Sequence, residues 1–139
     1  MQVNRRDFQE LATVRLKEAQ APLRLGHSDG AYYLAGYAVE CALKACIAKA
    51  TRRYDFPDKR RVESSYSHKF LDLIRVAELG DEHAQRVSRD AEFQRNWDTV
   101  QQWTEQSWYS RHDEESAHSL VAAVGDKRHG VLSWLRLNW

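Results

Sequence analysis

The chain has 139 residues, a formal net charge of +1, 42 % hydrophobic residues and five tryptophans. That size suits one domain over residues 1–139, with a genuine core and no room for a second. A near-neutral balance excludes a globally basic nucleic-acid surface, so any RNA affinity has to come from a local patch.

Glycine (six) and proline (two) are scarce, and the good helix formers abound, which points to a helical protein. Phe8, Leu11, Ala12, Arg15, Ala19 and Leu23 recur at helical spacing and predict a first helix from about Arg5 to Leu23. Pro22 should end or bend its last turn. "GHSDG" reads as a turn, with Ser28 or Asp29 as the N-cap of the second helix. That helix, "AYYLAGYAVECALKACIAKA", is apolar on nearly every face and should be central and enclosed. Its alanines, from Ala31 to Ala45, form a stripe that lets a neighbour approach closely. Glu40 and Lys44 form an i,i+4 pair within it, read as a structural ion pair or as groups that support a site or bind phosphate.

Thr51 to Ser67 is a polar connection, and its stretch "TRRYDFPDKRR" holds five Arg or Lys against two Asp. It could steer RNA or simply be solvated. "SHKFLDLIRVAEL" predicts a third helix stopped by Gly80, and a fourth runs from about Glu82 to Trp103. His68 reads as a capping or packing residue, and His27, His83 and His129 as surface histidines. "TEQSWYS" breaks the pattern, and the last helix is expected from Ser110, with Asp113 completing its cap and a bend or break allowed at Gly125. The fold class is therefore all-α, an up-and-down bundle of four to five helices. Cys41 and Cys46 are five apart on one helix, which leaves their thiols about 140° apart and unable to bridge. They read as buried groups of a reduced protein. "MQVNRRDFQEL" has no apolar signal core, and no run approaches the roughly 18 residues of a membrane span. A soluble, cytoplasmic protein without membrane contact is expected.

"GAYYLAGYAVECALKACIA", "SHKFLDL", "NWDTVQQWTEQSWYSRH" and "AHSLVAAVGDKRHGVLSWL" together resemble the HEPN family of small helical proteins, from about Arg15 to Trp134. "SHKFLDL" resembles the family's histidine-containing lead into a middle helix. The resemblance implies a HEPN-like bundle that pairs as a homodimer through its last helices. It also implies one of two roles. Many members are metal-independent endoribonucleases, including toxins of toxin–antitoxin systems. Others are catalytically inactive nucleotide- or RNA-binding modules, or partners of minimal nucleotidyltransferases. The nuclease members carry an arginine, often followed by a polar residue, and then a histidine after a gap of four to six residues from the arginine. Arg111, His112 and His118 match that form, although His112 stands where tyrosine is common in the subgroup most resembled.

On one helix, seven residues turn about 700°, which would put Arg111 and His118 on one face about 10 Å apart along the axis. A two-fold pair of such helices would bring two arginines and two histidines into one cleft. Histidine could then take the ribose 2′-hydroxyl proton while arginine stabilises charge on the phosphate, with no metal or cofactor needed. The interval alone carries little weight. Roughly two arginine–histidine gaps of four to six residues are expected by chance at this composition, and Arg61 and His68 supply the other. Three readings stay open at this level: a ribonuclease, a silent binding module using the same cleft, and a purely structural subunit. Of the tryptophans, Trp108 is the candidate for an exposed base-stacking face, and the other four suit the core or a dimer interface.

Overall fold

A computed structural model describes residues 3–51 and 59–139, apart from the side chains of Arg61 and Trp108. Most of the basic stretch read as able to steer RNA or as simply solvated, and the Trp108 ring, lie outside that description. Every described element is helical. They are α1 (Arg5–Arg24), α2 (Ser28–Ala50), α3 (Lys59–Ser65), α4 (Phe70–Val76), α5 (Gly80–Arg89), α6 (Ala91–Gln101), a 3₁₀ segment (Glu105–Tyr109), α7 (Glu114–Gly125) and α8 (Val131–Arg136). Among the described residues no helix is long and apolar enough to cross a membrane.

The all-α class holds, but the helices are more numerous than the periodicity suggested: α3 forms within the polar connection expected over Thr51 to Ser67, and aspartates divide two of the predicted helices. The fourth predicted helix divides at Asp90, whose extended backbone ends α5 while its carboxylate caps α6 by accepting from Phe93 N at 3.0 Å. The last predicted helix divides after Gly125. Asp126 leaves helical geometry there and accepts from the amides of Arg128 and His129 at 2.9 and 2.6 Å. An aspartate side chain that binds nearby amides offers the backbone an alternative to the helical ladder. The third helix ends differently from expectation too. Glu78 takes a left-handed conformation, φ 61°, and Gly80 opens α5 instead of stopping α4. At the start of α2 the cap is His27, without a side-chain bond.

α1 begins at a full capping box. Asn4 accepts from Asp7 N at 3.0 Å and Asp7 accepts in return from Asn4 N at 2.9 Å. Helix α1 then packs along α2, and α7, α4, α8 and the 3₁₀ segment also rest on α2. Ala31, Ala35, Ala38, Ala42 and Ala45 are all wholly buried, as the small-residue stripe requires. Cys41 and Cys46 lie within this core, and burial pushes their thiols up to about 11 and about 12.

Gly36 marks the closest approach in the core. A Cβ built there would lie 2.2 Å from the Trp103 indole, so the ring rests directly on the α2 backbone. Trp103 is also stacked parallel to Phe70, with centroids 5.4 Å apart. Gly36→Ala should therefore destabilise the fold by about 2 kcal/mol through overpacking. A lowered urea midpoint at unchanged slope would report it, and an unaltered midpoint would count against this contact.

His83 and His129 are not the free surface residues their setting suggested. His83 packs against Phe93, Trp97 and Trp134, and burial lowers its proton affinity. His129 joins the α7–α8 turn to the start of α6, with Nδ1 2.9 Å from Asp90 and Nε2 3.3 Å from Glu92. Its bond to Asp90 raises the His129 pKa, and the same bond, with that from Phe93 N, holds the Asp90 carboxyl down to about 2. The folded chain thus holds the His129 proton more tightly than the unfolded chain. The resulting stabilisation is complete below pH 6.5 and is lost as pH rises through the raised value. The Asp90 contribution is present above 3.8 and is lost as pH falls toward 2. The gap in Tm between wild type and His129→Gln should be wide at about pH 5.5 and narrow by about pH 8.5. Equal gaps at both would refute the link.

Candidate functional site

Helix α7 is shorter at its start than expected, and this rearranges the Arg111–His118 region. Asp113 itself is the N-cap, accepting from Ser116 N at 2.7 Å, and those bonds hold its carboxyl below the usual range. Arg111 and His112 therefore precede the helix, in non-helical backbone. The common helical face expected for Arg111 and His118 does not exist, because only His118 is on α7. Both side chains are exposed. His118 Nε2 lies 3.6 Å from Glu114, and the shallow hollow around it is lined by Asp113, Glu114 and Glu115. Such a face repels phosphate unless a second chain alters it.

His112 is fixed in place. Its ring stacks on Tyr32 of α2 with centroids 3.7 Å apart and planes 12° apart. Its Nε2 donates to the Ser107 carbonyl at 3.2 Å, and its backbone amide donates to Asp29 Oδ1 at 2.5 Å. Asp29, a candidate cap in the sequence, thus pins the approach to α7 onto the start of α2. A ring held on both its face and Nε2 is placed as a structural clamp.

Glu40 and Lys44 face a different site. Glu40 is 3 % exposed, and its two oxygens are both engaged. Oε2 lies 3.6 Å from Lys44 Nζ, and Oε1 lies 2.5 Å from Nδ1 of His68. His68 sits in the non-helical lead into α4, where Ser67 Oγ accepts from Lys69 N and donates to Asp72. Its other nitrogen, Nε2, lies 3.1 Å from Oε2 of Glu105, the first residue of the 3₁₀ segment. One imidazole thus bridges a buried and an exposed carboxylate from two separate elements. Both contacts are hydrogen bonds only when both ring nitrogens carry protons.

This bridge divides a cleft into two compartments. The larger, about 700 Å³, is lined by the lead into α4 (Ser67 to Lys69), by Phe70 and Leu71 of α4, and by Trp103 to Gln106. The smaller, about 290 Å³, is lined by Tyr33, Tyr37, Tyr109 and Glu40, with His68, Trp103, Glu105 and Gln106 common to both. Trp103 is 3 % exposed, and its Nε1 is buried without a hydrogen-bond partner among the described residues. Among the described residues no group of three His, Cys, Asp or Glu is arranged to hold a metal ion.

His68 and Glu105 are the site residues that sequence reasoning missed. The signal for His68 was the "SHKFLDL" segment, whose histidine was read as a cap. Nothing in "TEQSWYS" singled out Glu105. The cations that gather in the described chain lie elsewhere, where Arg86, Arg89 and Arg95 surround His129.

His112→Ala should cost about 1 kcal/mol through loss of the ring stack, whereas His112→Phe should retain most of the stability. Chemical denaturation of the two variants checks this, and equal losses would remove the clamp role. Compared with protein-family models, curated proteins and solved structures, the chain matches none.

Proposed function

We propose that this protein is a HEPN-type helical recognition module, catalytically silent as a single chain, that docks a protein partner through the cleft bridged by His68. A minimal nucleotidyltransferase is the kind of partner that the sequence resemblance implies. The observation that carries the reading is the contrast between the two candidate regions. Glu40, His68 and Glu105 come from three places in the chain and converge on one cleft, while His112 and His118 line two different shallow hollows. Acid–base catalysis needs its groups within hydrogen-bond reach of one reacting centre. The charge distribution supports the same reading. Carboxylates dominate the surroundings of His118, and no Lys or Arg among the described residues lines the smaller compartment, so neither favours the backbone of RNA.

A second reading is favoured by the exposure of both Arg111 and His118. In a homodimer, the arginine of one copy and the histidine of the other would share a phosphate, giving a metal-independent ribonuclease and a candidate toxin. One experiment separates the two. Purified protein is incubated with single-stranded RNA in EDTA, beside Arg111→Ala and His118→Ala. The recognition module leaves all RNA intact in every sample. It also keeps its partner when Arg111 is replaced and loses it when Glu105 is replaced by lysine. Cleavage that yields 2′,3′-cyclic phosphate ends and disappears in either alanine variant would overturn the module and establish the nuclease.

A further inference from the structure

We infer that the smaller compartment receives an arginine side chain of the partner protein. This rests on the recognition-module reading and names the chemistry it recognises. The compartment's walls are the rings of Tyr33, Tyr37, Tyr109 and Trp103 and the carboxylates of Glu40 and Glu105, and among the described residues no Lys or Arg lines it. Tyrosine rings and the Glu105 carboxylate favour the same thing, a cation, whereas both oxygens of Glu40 are already engaged by Lys44 and His68 and the Trp103 ring is packed on Gly36 and Phe70.

The chain already satisfies part of this preference internally. His68 places an imidazole between the two carboxylates, and Arg15 holds its guanidinium 5.9 Å from the centre of the Tyr37 ring. The first shows that the carboxylates converge on a single planar donor. The second shows that a guanidinium packs on one of the cleft's own tyrosines. Glu105 remains about half exposed, at 53 % of its side chain, so its carboxylate is accessible to an incoming donor. A guanidinium fork matches a carboxylate edge in two parallel bonds, which an ammonium does not.

Size argues for a side chain attached to something larger. About 290 Å³ lies just below the range of pockets that enclose whole small-molecule ligands. The adjoining compartment of about 700 Å³ offers Leu71, itself 49 % exposed, to the residues flanking that arginine. A free polyamine would use the first compartment and leave the second idle.

The test titrates the full chain with four probes followed by calorimetry: N-acetyl-arginine amide, spermidine, N-acetyl-glutamine amide, and a short peptide with arginine between leucines. The arginine amide should bind and the glutamine amide should not. The peptide should bind about tenfold more tightly than the amide, by occupying both compartments. Glu105→Gln should weaken the peptide about tenfold, with circular dichroism confirming that the variant is folded. Tyr109→Ala, at an exposed position, should weaken it as well. The inference is overturned if no arginine probe binds, if Glu105→Gln binds like wild type, or if spermidine matches the peptide. Its failure is distinct from failure of the module. RNA cleavage that depends on Arg111 would remove the module while leaving arginine binding as measured, and absent arginine binding would leave the RNA result unchanged.

Discussion

The indole of Trp103 rests on the backbone of Gly36, at a distance that admits no methyl group, and much of the molecule depends on that contact. It anchors the end of α6 over the middle of α2. Only two residues later the chain reaches Glu105, which is thereby delivered beside His68. Phe70 stacks on the same indole and brings the lead into α4 to the same place. The cleft is a by-product of how closely a large ring can approach a helix. The alanine stripe of α2 extends the principle along the whole helix, because a surface without bulk lets five other elements contact one rod. Stability here comes from proximity more than from large interlocking side chains on the central helix.

Charge is used sparingly and at boundaries. Asp90, Asp113 and Asp126 each leave the helical ladder and accept amide hydrogens at a helix end. Asp90 does so while also holding Arg86 and His129. Glu40 is the exception, a carboxylate in the middle of an otherwise apolar helix. A buried charge persists only when its partners are supplied, and Lys44 and His68 supply them. The cleft is therefore built around the polar group that the core tolerates least, an arrangement that fits a recognition role better than a packing one.

Much of this was legible in the sequence. The extent of α1, the central position of α2 and the isolation of the two cysteines come from spacing and from the apolar character of α2 on all faces. The division of α5 from α6 was not, because no glycine or proline marks it between Asp81 and Gln101, and in sequence a capping aspartate resembles an ordinary exposed residue. The same blindness placed Arg111 and His118 on one helix, since it treated Asp113 as a partner in the cap when it is the cap itself. Glu40 was flagged together with Lys44, and that pair forms, but its second partner was missed. Its contact with His68 spans 28 residues, and no local interval encodes a meeting set by the packing of Trp103 on Gly36.

The buried thiols have a consequence for how this chain can be followed in solution. Cys41 and Cys46 are each 2 % exposed, and both hold their protons far above neutral pH. A thiol reagent attacks the thiolate, so it has neither access nor a nucleophile while the core is closed. Every labelling event is then a record of α2 having been uncovered. The two positions lie on opposite sides of that helix, so unequal labelling would time which neighbour departs first. The molecule carries its own pair of clocks for the opening of its core.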